Sequence, residues 1–177
     1  MKVVGFAGFS GSGKTTLVEQ LIGALKIRGL RVSVVKHAHH AFDIDHPGKD
    51  TFRHREAGAF EVVVASSKRV ALMREFEKEA ELSVHHLIAE LYEGVDWVLV
   101  EGFKRSDLLK IEVFRPSAGK PALFEEDDFI VAMATDEPQF FEGKTLRPVL
   151  DVNSADGVAQ WLVDHGERFE YVASRYS

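Results

Sequence analysis

A glycine-rich stretch near the N-terminus carries the residues whose types and spacing best suit chemistry. It reads Gly8-Phe9-Ser10-Gly11-Ser12-Gly13-Lys14-Thr15-Thr16 and matches the pattern G-x-x-x-x-G-K-[ST]. The glycines let backbone N–H groups turn inward around an anion, and the N-terminus of a following helix adds partial positive charge. Lys14 is then expected to reach the β- and γ-phosphates of a nucleotide, and the Thr15 hydroxyl to bind Mg²⁺. The stretch therefore predicts a phosphate loop.

Apolar patterning predicts the elements that hold this loop. Residues 2–8 form an apolar, β-branched run, residues 17–25 place apolar side chains on one helical face, and residues 31–36 hold three valines. A strand, a crossover helix and a second strand predict a parallel pair with a right-handed connection. The loop thus lies between a buried strand and a helix, which is the context that the motif requires.

The rest of the chain predicts further strands and helices in alternation. Strand patterns cover 60–65, 70–73, 95–100, 110–114, 129–134 and 149–150, and helical patterns cover 84–92 and the residues after Ser154. The first two strands are joined by Ser66-Ser67-Lys68-Arg69 and predict a hairpin. The whole pattern predicts an α/β chain with the three-layer P-loop NTPase fold, in which a β-hairpin accompanies a mostly parallel central sheet.

Polar residues follow several of the predicted strands. Ligands of open α/β sheets bind beyond the carboxyl ends of the strands, where Lys36-His37, Glu101-Gly102 and Thr135-Asp136 stand. Glu101 has the layout of a carboxylate on the Mg²⁺ side of the site, although an acid at an ordinary strand terminus is the alternative. Lys104 follows in the same loop, where it either holds a second anionic group or is a surface lysine.

Asp136 is the residue best suited to recognise a base. A carboxylate accepts two hydrogen bonds from guanine N1–H and N2–H₂, and adenine offers no such pair of donors. The Asn-Lys-x-Asp guanine signature is absent, since Asn153 is the only asparagine of the chain. The alternative is that Asp136 only starts a turn before Pro138.

Residues 37–46 form a loop rich in histidine and aspartate. His37, His39, His40, His46, Asp43 and Asp45 are all possible metal ligands. Imidazole N–H groups also bind phosphate, and a loop beside a nucleotide site often senses the γ-phosphate. The ligand spacing matches no regular metal-site pattern, so both interpretations stay open.

Composition narrows the class of protein. The 177 residues are expected to form a single P-loop nucleotide-binding domain over 1–177. The net charge of −6 argues against nucleic acid as a partner, and the chain contains no cysteine, which fits a reducing compartment. No apolar stretch is long enough to cross a bilayer, so we expect a cytoplasmic protein without a membrane partner.

Further short stretches accompany the phosphate loop. They are Lys36-His37-x-His39-His40, Asp43-x-Asp45-x-Pro47-Gly48-Lys49-Asp50, Ala57-Gly58-Ala59, Val64-Ala65-Ser66, Ala71-Leu72-Met73, Val100-Glu101-Gly102-Phe103-Lys104 and Thr135-Asp136-x-Pro138. With this set the chain resembles the MobB family of molybdopterin-guanine dinucleotide biosynthesis adaptor proteins, P-loop GTPases of the signal-recognition/MinD-like class. The resemblance covers nearly the whole chain except its C-terminal tail.

The resemblance implies a cofactor, a partner and an assembly. It implies a homodimer that binds GTP with Mg²⁺, hydrolyses it slowly and acts mainly as an accessory protein. The implied partner is the molybdopterin guanylyltransferase that joins GMP to molybdopterin, and molybdopterin itself is a candidate ligand. Two alternatives stay open: a small-molecule P-loop kinase, and a GTP-dependent metal-delivery protein that uses the histidine-rich loop.

The motifs and the resemblance together define the expected site. Lys14 and Glu101 are the expected catalytic residues, and Thr15 and Glu101 the expected Mg²⁺ ligands. The expected nucleotide-binding residues are Gly11, Ser12, Gly13, Lys14, Thr15, Thr16, His37, Asp45, Lys49, Lys104, Thr135 and Asp136.

Overall fold

The computed structural model describes residues 1–38, 42–78 and 80–173, and these contain eight strands and four α-helices. The strands are β1 (Lys2–Ala7), β2 (Val32–Lys36), β3 (Glu61–Ala65), β4 (Val70–Arg74), β5 (Trp97–Glu101), β6 (Lys110–Phe114), β7 (Ile130–Thr135) and β8 (Val149–Asp151). The helices are α1 (Lys14–Ile27), α2 (Asp50–Glu56), α3 (Val84–Ala89) and α4 (Ala155–Asp164). Short 3₁₀ helices cover Pro116–Ala118, Pro138–Phe141 and Gly166–Phe169.

The chain divides into two units. The first comprises Met1–His37 and Ser83–Ser177, and the second comprises Ala38–Leu82. The first holds the central sheet and the phosphate loop, and the second holds α2 and the hairpin of β3 and β4. The expected single nucleotide-binding domain over 1–177 stays a prediction.

The central sheet of the first unit contains six parallel strands in the order β2-β5-β1-β6-β7-β8. β1 and β2 are parallel within this sheet, as predicted, but they do not pair with each other, because β5 lies between them and pairs with both. Burial explains the order: every residue of β5 is buried, whereas β2 is only partly covered. A strand that is apolar on both faces is favoured inside the sheet, and the more polar strand takes the edge.

Helices cover both faces of this sheet. On one face, α1 and α4 pack on buried side chains of the central strands, with Phe6, Leu99 and Ile111 among them. On the other face, α3 packs on neighbours of those residues, such as Val98 and Val100. Successive strand residues point to opposite faces, so the two sets alternate along each strand. The predicted three-layer α/β fold, with its mostly parallel sheet and hairpin, is confirmed.

The residues after α4, for which the sequence predicts no element, return to the central sheet. Phe169 is buried between Trp97 and Trp161, at ring-centroid distances of 5.7 and 6.0 Å. Glu170 then forms an antiparallel bridge with Lys2, and its carboxylate lies 3.0 Å from the Lys2 amine. This segment is therefore anchored beside β1, the strand that leads into the phosphate loop.

The second unit contains the predicted hairpin. Strands β3 and β4 pair antiparallel, from Ala65 opposite Val70 to Glu61 opposite Arg74. The Arg74 guanidinium lies 2.7 Å from the Glu61 carboxylate at the open end of the hairpin. Turn residues between two β-branched runs were sufficient to predict this local pairing.

Gly8 is held where a side chain does not fit. Its φ is +137°, and a Cβ atom would clash with the carbonyl oxygen of Val113 in the neighbouring strand. We expect Gly8→Ala to destabilise the nucleotide-free protein by about 2–3 kcal/mol, since backbone strain and a backbone clash add together. Urea unfolding measures this change.

The matched control for Gly8→Ala is Gly119→Ala. Gly119 also has a positive φ, of +62°, but a Cβ there would meet no atom within 4 Å among the described residues. Its alanine variant is expected to lose about 1 kcal/mol, from backbone strain alone. Equal losses in the two variants would contradict the close approach at Gly8.

Candidate nucleotide-binding site

The phosphate loop leaves β1 and enters α1 as predicted. Gly11 and Gly13 have φ values of +83° and +95°, and Gly13 occupies the N-cap position of α1. Within the described residues, no side chain caps this helix end. The first N–H groups of α1 are therefore left for an anion, as expected of a phosphate site.

The Lys14 side chain folds back over this loop. Its amine donates to the carbonyl oxygens of Gly8 and Phe9, at 2.9 and 2.8 Å. An ammonium group has three donors, so these two contacts leave one for a phosphate oxygen. The loop carbonyls thus position the amine where the helix N-terminus and the glycine backbone converge.

The charged groups that act on Lys14 are one carboxylate and two further lysines. Burial lowers the pKa of the Lys14 amine, the Glu101 carboxylate counteracts this, and the charges of Lys104 and Lys36 lower the pKa further. Three lysine ammonium groups near one acidic side chain attract a polyanion. A bound triphosphate would favour the charged form of Lys14, so nucleotide affinity is linked to its protonation.

Thr15 and Glu101 are brought together across 86 positions of the chain. The Thr15 hydroxyl donates to Glu101 Oε1 at 2.6 Å, and Glu101 is buried at the carboxyl end of β5. The Lys36 amine lies 3.6 Å from Glu101 Oε2. Lys36 ends β2 at the same edge of the sheet. The rule that ligands bind at the carboxyl ends of strands, here called the strand-end rule, had identified Lys36-His37, but only His37 was included among the expected site residues.

The Thr15–Glu101 pair fits a magnesium ion. A hydroxyl and a carboxylate are oxygen donors, and Mg²⁺ is usually held by one or two carboxylates together with substrate phosphates and waters. Both groups lie next to the phosphate loop, where a nucleotide would supply the remaining oxygens. When bound, the ion would neutralise phosphate charge beside Lys14.

His37 and Lys104 also lie in the first unit. The His37 ring is 5.0 Å from the ring of Phe103, and a Cβ on Gly102 would lie 2.9 Å from His37 Cβ. Gly102 has a φ of +99°, so only glycine suits this close approach. The Lys104 amine lies 5.6 Å from the ring centroid of Phe9 in the phosphate loop. The expected contacts of His37 and Lys104 with a nucleotide stay predictions.

Thr135 is the last residue of β7 and Asp136 follows it, and Arg115 joins Asp136 to the phosphate loop. Arg115 Nη1 donates to Asp136 Oδ2, and Arg115 Nε donates to the Ser12 carbonyl oxygen at 3.2 Å. Thr135 is buried, and its hydroxyl accepts from the backbone N–H of Glu137. Sequence reasoning missed Arg115, although it directly follows β6 and the strand-end rule again applies.

Asp45 and Lys49 belong to the second unit. The Asp45 carboxylate accepts from the Thr51 hydroxyl at 2.9 Å and from Arg55 at 3.3 Å. Lys49 is the N-cap residue of α2, and its carbonyl oxygen accepts from the N–H of Arg53. These contacts give both residues a local structural role, and their expected binding of nucleotide stays a prediction.

The metal hypothesis for the histidine-rich loop rests partly on His39 and His40, which lie outside the described residues. Among residues 1–38, 42–78 and 80–173, no group of three or more histidine, aspartate or glutamate side chains is arranged to hold a metal ion. The metal-delivery alternative stays a hypothesis.

Comparison with known proteins identifies the family of this chain. The family model of molybdopterin guanine dinucleotide synthesis protein B, MobB, matches residues 3–136. This chain belongs to the MobB family. The matched region extends from β1 through the phosphate loop to Asp136, so it contains the geometry described above. The resemblance inferred from the motifs is confirmed.

Individual MobB proteins match over almost their whole length. The molybdopterin-guanine dinucleotide biosynthesis adapter protein of Escherichia coli (strain K12) is 41% identical over 164 residues, which are 92% of this chain and 91% of that protein. The protein of the same name from Haemophilus influenzae is 41% identical over 173 residues, 94% of this chain and 93% of the relative. A crystal structure of molybdopterin-guanine biosynthesis protein B has a TM-score of 0.69 and 25% identity, and the match covers 92% of this chain and 99% of that one.

None of the helices in the described part of the chain combines the length and the apolar character needed to cross a membrane.

Proposed function

We propose that this protein binds GTP with Mg²⁺ and acts as a cytoplasmic adaptor in molybdenum cofactor biosynthesis. It assists a partner guanylyltransferase that attaches GMP to molybdopterin. The observation that carries the nucleotide proposal is the convergence of Lys14, Thr15 and Glu101 at the N-terminus of α1. The adaptor role is supported by family membership and by the names of the two bacterial relatives.

The partner proposal is tested by capture of the guanylyltransferase on the immobilised full chain. Capture is compared without ligand, with GTP, and with GTP plus molybdopterin. We expect GTP to strengthen capture. An adaptor whose action depends on GTP must bind its partner with different affinities in its GTP-free and GTP-bound states. Failure to capture the enzyme under all three conditions would contradict the adaptor role and leave nucleotide binding untouched.

Guanine recognition is assigned to Asp136. Its Oδ2 accepts from Arg115, and a carboxylate has about four acceptor sites, so capacity remains for the two donors of guanine. Titration with fluorescent GTP and ATP analogues tests the assignment. Equal affinity for both nucleotides would overturn it.

Magnesium dependence follows from the Thr15–Glu101 pair. We expect Thr15→Val to reduce the gain in GTP affinity on adding Mg²⁺ by about tenfold, because valine matches the shape of threonine but removes the hydroxyl. Titrations with MgCl₂ and with EDTA measure this gain. Thr16→Val is the neighbouring comparison, and an equal effect in both variants would contradict a specific role for Thr15.

We assign slow GTP hydrolysis to Lys14 and Glu101. Lys14 would stabilise charge on the β- and γ-phosphate oxygens, and Glu101 would orient Mg²⁺ beside them. Phosphate release under single-turnover conditions measures this rate. Fast turnover that depends on a small acceptor would instead favour the kinase alternative.

A homodimer is supported by the exposed apolar surface of the second unit. The hairpin of β3 and β4 leaves Val63, Val70 and Leu72 exposed by 58, 69 and 47%. A two-stranded hairpin has little stability alone, and exposed apolar strands favour pairing with another chain. Sedimentation velocity tests the assembly. A monomer at micromolar concentration would contradict it.

A further inference from the structure

Arg115 connects two loops that belong to different strands. Its Nε donates to the carbonyl oxygen of Ser12 in the phosphate loop, at 3.2 Å. Its Nη1 donates to Oδ2 of Asp136, just beyond β7. A Cβ on Gly13 would lie 3.5 Å from Arg115 Nε, so the guanidinium lies directly against the start of α1.

The guanidinium group is suited to hold a fixed separation. Its nitrogens lie in one rigid plane and donate in set directions, whereas a lysine ammonium is a single point donor on a flexible chain. One end of the plane is bound to a backbone carbonyl and the other to a carboxylate. The Arg115 side chain therefore spans the phosphate loop and Asp136 with a rigid group.

Asp136 remains able to accept a base while it is bound to Arg115. Among the described residues, its Oδ1 has no hydrogen-bond partner, and Oδ2 has a second lone pair beyond the one that faces Arg115. Guanine N1–H and N2–H₂ require two acceptors side by side. The Asp136 carboxylate can thus accept hydrogen bonds from Arg115 and from guanine at the same time. The bond to Arg115 restricts the orientation of the carboxylate.

We propose that Arg115 is a positioning residue that sets guanine specificity by holding Asp136 at a fixed distance from the phosphate loop. This inference rests on the proposed function, in which Asp136 recognises guanine and the loop binds the phosphates of the same GTP. A nucleotide is anchored at both ends, so a shift of Asp136 relative to the loop misaligns the base contact even when each part is intact.

The test measures how strongly the protein distinguishes GTP from ITP. Hypoxanthine lacks the 2-amino group of guanine and keeps N1–H, so the ratio of the two affinities isolates the contact between that amino group and Asp136. Arg115→Lys keeps the positive charge but cannot bridge Ser12 and Asp136. We expect it to lower GTP affinity more than ITP affinity and to reduce the GTP/ITP ratio about fivefold.

A structural role alone would give a different result. Loss of folded protein or damage to the phosphate loop lowers both affinities equally and leaves the GTP/ITP ratio unchanged, which would overturn the proposal. Arg28→Lys is the matched control, because Arg28 bridges the Ala24 carbonyl oxygen and the Asp156 carboxylate away from the site. Its ratio is expected to equal that of the unmodified chain.

Asp136→Ala distinguishes guanine recognition by Asp136 from the positioning role of Arg115. If this variant leaves the GTP/ITP ratio unchanged, the assignment of guanine recognition fails, and the role of Arg115 fails with it. If Asp136→Ala reduces the ratio but Arg115→Lys does not, only the positioning role fails. If Arg115 acts through Asp136, Arg115→Lys causes no further reduction of the GTP/ITP ratio in a chain that already carries Asp136→Ala.

Discussion

Lys14→Ala is expected to weaken GTP binding by about 10- to 150-fold, which corresponds to a charge-assisted hydrogen bond of about 1.5–3 kcal/mol. The amine is held over the phosphate loop by two backbone carbonyls, so it is already placed for a phosphate oxygen. Substitution removes this contact together with the two hydrogen bonds to the loop carbonyls. Isothermal titration calorimetry with GTP in the presence of Mg²⁺ measures the change.

The fold is expected to tolerate Lys14→Ala. Among the described residues, the amine donates to two loop carbonyls, and its removal loses the attraction to Glu101 but also relieves the repulsion with Lys36 and Lys104. Lys26→Ala is the control, since Lys26 lies in the last turn of the same helix and far along it from the loop. Unchanged GTP affinity in Lys14→Ala would mean that the phosphate loop does not bind the nucleotide. A large loss in Lys26→Ala would point to helix damage.

Asp136→Asn is expected to change base preference from GTP to XTP. Xanthine carries a carbonyl oxygen at C2 where guanine carries an amino group. An asparagine amide donates to that oxygen and accepts from N1–H, whereas it places its own NH₂ against the amino group of guanine. A site left with unpaired donors rejects its former ligand strongly, so we expect GTP affinity to fall by about 100-fold and XTP to become the better ligand.

Competition titrations with GTP, XTP and ATP measure this switch. Arg115 keeps an acceptor in the Asp136→Asn variant, because the amide oxygen has two lone pairs. Glu137→Gln is the control, since it neutralises the adjacent acid while the backbone N–H of Glu137 still donates to Thr135. If Asp136→Asn binds GTP as the unmodified chain does, Asp136 does not contact the base.

The sequence was sufficient for those parts of the site that are built from consecutive residues. The phosphate loop joins β1 to α1 because turn glycines, an apolar strand and an amphipathic helix follow each other directly. The hairpin of β3 and β4 was predictable for the same reason, since its pairing is local. Each of these features depends on backbone geometry that a few neighbouring residues define.

The rule that ligands bind at the carboxyl ends of parallel strands predicted part of the rest of the site. It identified Glu101 and Asp136 as ends of parallel strands, and both lie in the first unit with the phosphate loop. It also identified Lys36 as a strand end without including it in the site, and it applied equally to Arg115, which was missed, because a basic residue after a strand is also typical of an ordinary surface. Their contacts with an acid therefore became visible only when the side-chain partners were known.

The amino-acid sequence by itself determined the family, the phosphate loop and the alternation of strands and helices, because these depend on residue type and local spacing. Only the tertiary structure decided that β5 separates β1 from β2, since strand order depends on competition among all strands for the buried positions. It also decided that Arg115 joins Ser12 to Asp136. Such a bridge between distant loops depends on the relative placement of three strand ends, which no local pattern encodes.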